Sequence, residues 1–187
     1  MSILPDLIAP NLKLVFCGTA LSTTSARRRA YYAGPGNAFW PTLHTIGLTP
    51  RRFEPEEYPL LLDLRIGLTD LSKSQSGADS VIQFSNGDRE RLRKLIKRYR
   101  PEMLAFTSLT AARTFFQRHQ VSVGEQIQSL GTTRVFVLPS PSGRARRTWS
   151  IEPWRELASR VCACSVGNSR FHRPISRKAA RSSGATR

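Results

Sequence analysis

Two stretches of this chain collect small, hydroxyl-bearing and basic residues directly behind apolar runs. The first, Gly18-Thr19-Ala20-Leu21-Ser22-Thr23-Thr24-Ser25, follows Leu12 to Cys17; the second, Ser140-Pro141-Ser142-Gly143-Arg144-Ala145-Arg146-Arg147, follows Arg134 to Pro139. Backbone N–H groups, hydroxyls and guanidinium forks all donate hydrogen bonds, so such loops suit anionic partners, phosphates above all. Between them lie Tyr31 and Tyr32, whose rings offer stacking surfaces, and Asn37, whose amide both donates and accepts. No Gly-x-Ser-x-Gly turn surrounds Ser22 or Ser140, and no histidine is placed by sequence to activate either, which sets aside a serine hydrolase. Neither loop contains a lysine, so Schiff-base chemistry has no nucleophile there.

The composition of the whole chain leans the same way. Across 187 residues, 29 basic side chains face 13 acidic ones, a net charge of +16. A field of that sign favours polyanions, and nucleic acid is the commonest polyanion a soluble protein meets inside a cell. Arg170, Arg173, Arg177, Lys178, Arg181 and Arg187 lie beyond Val161 with no acid among them, yet the body remains basic without them. Cys17, Cys162 and Cys164 form no paired framework, and with His44, His119 and His172 they lack zinc spacing, so neither disulfide nor metal is expected. No apolar run approaches the roughly 18 residues of a membrane span, and Met1 to Asp6 has no leader-like pattern. These features predict a soluble cytoplasmic monomer with no membrane partner.

Something must hold the loops, and the apolar pattern supplies it. Short apolar runs at Leu12–Cys17, Ile66–Leu71, Met103–Thr107 and Arg134–Leu138 read as strands. Helical patterns start at Asn37, an N-cap candidate, run through Glu54–Leu62 and Asp88–Arg100, continue at Thr110–His119, and resume behind Ser150. The polar, turn-rich stretch from Ser72 to Asn86 reads as a loop, at a ligand or in solvent. Strands separated by helices imply an α/β fold whose parallel sheet is covered on both faces, with ligands at the strand carboxyl ends. The two loops then share one rim. Residues 1–161 read as the folded domain and 162–187, small, polar and basic, as a disordered tail.

Four segments carry a family resemblance. Leu14-Val15-Phe16-Cys17-Gly18, Ala33-Gly34-Pro35-Gly36-Asn37-Ala38-Phe39-Trp40, Leu61-Leu62-Asp63-Leu64-Arg65-Ile66-Gly67-Leu68-Thr69 and Val137-Leu138-Pro139-Ser140-Pro141-Ser142-Gly143 occur in the order found in the uracil-DNA glycosylase superfamily. They resemble most its mismatch-specific uracil/thymine branch. The resemblance implies a three-layer αβα sandwich around a central four-stranded parallel sheet. It implies a monofunctional glycosylase of base-excision repair, without metal or organic cofactor. The partner would be DNA, double-stranded or single-stranded, that contains uracil or a related damaged base. Such a base is rotated out of the stack before its bond to the sugar is hydrolysed.

Carried over by position, Gly18, Thr19, Ala20, Tyr32 and Ser140 would line the base pocket, with Tyr32 stacking on the base. Gly143, Arg144, Ala145 and Arg146 would form the wedge that fills the vacated stack, Arg147 would add a phosphate contact, and Ser142 would also contact DNA. One position departs from the pattern: Ala20 stands where the mismatch-specific branch has the Asn that positions the attacking water, and a methyl group orients no water. The hypoxanthine-DNA glycosylase branch also lacks that Asn, and its Tyr-Tyr-x-x-Pro-x-Asn-x-Phe-Trp pattern is reproduced from Tyr31 to Trp40. That resemblance makes Asn37 the first catalytic candidate, with Ser22, Thr23 and Thr24 behind it, although Asn37 also reads as a helix cap. The rival reading is a member of the same fold that holds damaged DNA and has weak or no catalysis.

Overall fold

The computed structural model describes residues 2–167. Its centre is a five-stranded sheet in the order β2-β1-β3-β5-β4, with β1 at Leu14–Gly18, β2 at Ile66–Asp70, β3 at Met103–Phe106, β4 at Gly124–Glu125 and β5 at Arg134–Val137. β2, β1, β3 and β5 run parallel, as expected, and only β4 is antiparallel. The fifth strand adds one edge to the four the sequence predicts. With two residues, one of them Gly124 at φ 108°, it is too short to show an alternating pattern.

Alternation along the strands separates two cores. On one face Leu14, Phe16, Ile66, Leu68, Met103, Ala105 and Phe136 pack with Phe39, Trp40 and Leu43 of α2 (Phe39–Thr45) and Trp154, Leu157 and Val161 of α5 (Glu152–Gly167). On the other, Val15, Cys17, Leu104, Phe106, Val135 and Val137 meet Leu92 and Ile96 of α3 (Asn86–Tyr99) and Ala111, Ala112 and Phe115 of α4 (Leu109–Phe116). The result is the three-layer αβα arrangement. No described helix is long and apolar enough to cross a membrane.

Local chemistry explains where the elements differ from expectation. A short helix, α1 (Thr23–Arg28), forms within the first loop because the Ser22 hydroxyl caps it, accepting from Ser25 N; six residues hold too little apolar periodicity to reveal it. Residues Pro55–Leu62 wind as a 3₁₀ rather than an α-helix, with Pro59 lacking the N–H that α-helical bonding needs. α2 begins at Phe39 with Ala38 in the cap position, while Asn37 Oδ1 accepts from Phe39 N at 3.0 Å. α5 continues past residue 161, where the domain boundary was expected; the rest of the predicted tail, 168–187, lies outside the described residues.

The N-terminal segment pairs with the free edge of β2 through reciprocal bonds between Leu7 and Leu68, both 2.9 Å, which covers an otherwise open edge. This crossing needs a glycine: a Cβ on Gly67 would lie 2.7 Å from Leu7 O and 2.7 Å from Leu12 Cδ1. Gly67→Ala should therefore destabilise the fold by about 1–3 kcal/mol, seen as a lower urea midpoint with an unchanged m-value.

Candidate active site

The carboxyl ends of β1, β2 and β3 lie at one level, since Gly18 pairs with Asp70 and Cys17 with Phe106. From that edge the chain splits into loops that enclose a cleft of about 780 Å³, within the usual range for a ligand site. Its walls include Gly18 to Ser25, Tyr32, Asn37, Gly77 to Ser80, Thr107, Ser108 and Ser140 to Ala145. Both loops singled out in the sequence thus face one space.

Tyr32 stands out by its backbone. Its φ of 54° is rare for a bulky residue and costs on the order of 1–3 kcal/mol. Two contacts hold it there: the ring stacks on Phe39 with centroids 3.8 Å apart and planes 15° off parallel, and its hydroxyl is 3.2 Å from Thr107 Oγ1. An aromatic pair contributes about 0.5–1.5 kcal/mol beyond burial, which offsets much of the strain. Phe39 covers one side of the ring, and Tyr32 lines the cleft. Tyr31 instead turns into the core and donates to Pro5 O at 2.9 Å.

Below Tyr32 sits Asp70, a residue the sequence reading left in its strand. It is 3% exposed, and its Oδ2 is buried without a hydrogen-bond partner. Gly18 makes room for it, because a Cβ there would fall 2.5 Å from Asp70 Oδ1. Burial pushes the Asp70 carboxyl up to about 6, partly countered by Lys73. Lys73 is itself buried, 3.8 Å from Asp70 Oδ2 and 3.3 Å from Asp6 Oδ1, and it donates to the Tyr31 hydroxyl at 2.8 Å. Nothing in the residue types marks Asp70 as a site residue; the signal lay in its place at a strand end opposite a glycine.

The other sequence candidates divide by what their atoms already do. Asn37 lines the cleft, but its carbonyl oxygen is engaged by Phe39 N, which leaves the Nδ2 donors. The Ser22 hydroxyl accepts from Ser25 N and lies 3.0 Å from Ser25 Oγ, a capping arrangement, and Thr23 is exposed at the start of α1. Ala20 lines the cleft, as do Thr19 and Gly18. Ser140 Oγ accepts from Ser142 N at 3.3 Å, which shapes its loop.

Gly143 to Thr148 forms a 3₁₀ turn with a kink at Ala145, capped by Ser142. Arg144 and Ala145 line the cleft, whereas Arg146 and Arg147 are exposed outside it. This turn is pinned to the Asn37 segment: Ala38 N donates to Pro141 O at 2.8 Å. A Cβ on Gly143 would meet Pro35 O and Gly36 O, both at 3.2 Å. Thr107, Ser108 and Arg113 complete the far wall, and the Ser72–Asn86 stretch contributes Gly77 to Ser80. Among the described residues no group of His, Cys, Asp and Glu could hold a metal ion.

A parallel sheet with its loops gathered over a polar and aromatic cleft defines an α/β protein with a candidate ligand site at its strand ends. The model of the Uracil DNA glycosylase superfamily matches residues 5–158, and the chain belongs to that superfamily. A solution NMR structure of a protein from Methanosarcina acetivorans, provisionally assigned as a uracil DNA glycosylase, has the same fold. It is 25% identical, with a TM-score of 0.58 over 84% of this chain and 96% of that one.

The raised Asp70 carboxyl makes stability depend on pH. Because it binds its proton more tightly in the folded state, its ionisation costs nothing below the ordinary carboxylate range and the full amount above pH 6, on the order of 3 kcal/mol for a shift from 3.8 to about 6. The wild type should lose stability relative to Asp70→Asn as pH rises from 4 to 6.5. Urea unfolding of both proteins across that range checks it; parallel curves would show that Asp70 is not held in this state.

Proposed function

We propose that this protein is a monofunctional DNA glycosylase that draws uracil, and other deaminated bases, out of DNA and hydrolyses the bond to the sugar. The observation that carries this reading is the convergence of the Tyr32 ring, the Asn37 amide and the arginine turn on one cleft. A flipped base would slide onto the ring as the third layer of the stack begun by Phe39. Stacking on an aromatic side chain stabilises a bound base by about 1–3 kcal/mol.

The departing base carries negative charge, and a donor aimed at its oxygen lowers the barrier. The Nδ2 hydrogens of Asn37 suit that task, because Oδ1 is already engaged by Phe39 N and the residue lines the cleft. Arg144 and Ala145 would fill the gap left in the duplex, with Arg146 and Arg147 on the flanking phosphates. In this reading the protein acts as a monomer in the cytoplasm, on double- or single-stranded DNA, and needs no cofactor. Ala20 favours a second reading, a damaged-DNA binder without catalysis, since its methyl group supplies nothing to an attacking water.

Incubation with a uracil-containing oligonucleotide followed by heating in alkali separates the two. A glycosylase leaves an abasic site that breaks in alkali; DNA that is bound but stays intact would establish the binder. Asn37→Ala should lower excision by about 100-fold and leave DNA affinity nearly unchanged. Arg144→Ala combined with Arg146→Ala should weaken duplex binding and flatten its dependence on log salt by roughly 1 to 2 units, measured by titration at several ionic strengths.

A further inference from the structure

The carboxylates that line the cleft are Asp70 and Asp79, and they differ in what a water molecule could do with them. Asp70 keeps Oδ2 out of solvent contact, with Lys73 on its far side. Asp79 is exposed, and its Oδ1 accepts from the Thr19 hydroxyl at 2.5 Å. Among the described residues its second oxygen has no partner.

The backbone delivers Asp79 to a particular place. Ser72 N donates to Thr19 O at 2.8 Å, Gly77 N donates to Leu21 O at 2.9 Å, and Leu21 pairs with Ser76. The loop that carries Asp79 is therefore laced to the residues on either side of Ala20. Where the first loop offers a methyl group, a neighbouring loop presents a carboxylate anchored one residue away. Asn37 cannot take the water's proton, since a carboxamide is no base at neutral pH, and the Ser22 hydroxyl both donates and accepts within its cap. An acid at the mouth of a DNA cleft also repels phosphate, so it weakens binding unless it does something else.

We infer that Asp79 orients and deprotonates the water that attacks the sugar, with Thr19 as its positioning residue. This rests on the glycosylase reading above. The water oxygen bonds to the anomeric carbon as the carbon–nitrogen bond breaks. The bonding pair leaves with the base, and the water's proton passes to the free Asp79 oxygen.

Single-turnover excision of uracil from an oligonucleotide, with DNA affinity measured alongside, tests this. Asp79→Asn should slow excision by about 100-fold or more while DNA binds equally or more tightly; Thr19→Ala should give a smaller loss of the same kind. The wild-type rate should rise with pH along an acid limb that Asp79→Asn lacks. The other titratable or charged side chains that line the cleft are Tyr31, Tyr32, Asp70, Arg113 and Arg144. A limb that survives in Asp79→Asn but vanishes in Asp70→Asn would assign it to the buried carboxyl and overturn the inference. So would an Asp79→Asn rate within threefold of wild type, or a flat wild-type profile. A wild type that binds but never excises uracil, hypoxanthine or xanthine overturns the glycosylase reading and this inference together. A wild type that excises while Asp79→Asn excises equally overturns only the role of Asp79.

Discussion

The parallel pairing of β1 with β2 and β3 is the constraint on which everything at the rim depends. Because the register aligns Gly18 with Asp70 and Cys17 with Phe106, three chain segments leave the sheet at the same height. All must then turn aside in a space already crowded by their neighbours. Glycine at position 18 resolves the conflict by ceding its side-chain volume to the Asp70 carboxylate. A shift of register would part Gly18 from Asp70 and take away that space.

Two kinds of unfavourable energy are concentrated at this rim. One is conformational, the left-handed backbone of Tyr32; the other is electrostatic, an acid held at 3% exposure with an oxygen that accepts no hydrogen bond and only a long ion pair to Lys73. Each is a departure of a few kcal/mol from what a residue of its type prefers. Packing elsewhere sustains them, since both faces of the sheet are filled with fully buried aliphatic and aromatic side chains. Rigid surroundings of this kind let a cleft keep polar groups incompletely satisfied until something enters it.

The sheet and its covering helices were legible because burial on both faces leaves a strong trace: apolar strands bounded by glycine or proline, and helices with a regular inner stripe. The edge pair at Gly124–Glu125 and the six-residue α1 leave none. Tyr32, Asn37 and the Ser140–Ala145 turn, which contiguous motifs carry, all line the cleft. Asp70, Thr107 and Asp79 line it too, and no motif marks them, since each meets the cleft beside a partner far away in the chain. The sequence marks Asn37 as either cap or site residue. In the structure its oxygen accepts from the backbone next to α2, and the residue also lines the cleft.

The junction between the Pro35–Ala38 segment and the Pro141–Gly143 turn has a bearing on how such a chain can vary. Gly36 has φ 68°, and a Cβ added to it would meet Arg146 Nη2 at 3.2 Å, while one added to Gly143 would press on the carbonyls of Pro35 and Gly36. Two glycines that look unrelated along the chain are thus a single steric fact. A side chain gained at position 143 must push back the Pro35–Gly36 backbone, whereas one gained at position 36, already strained by its positive φ, needs Arg146 to swing aside. The spacing of the two segments is set by that contact, and a change on either side is felt on the other.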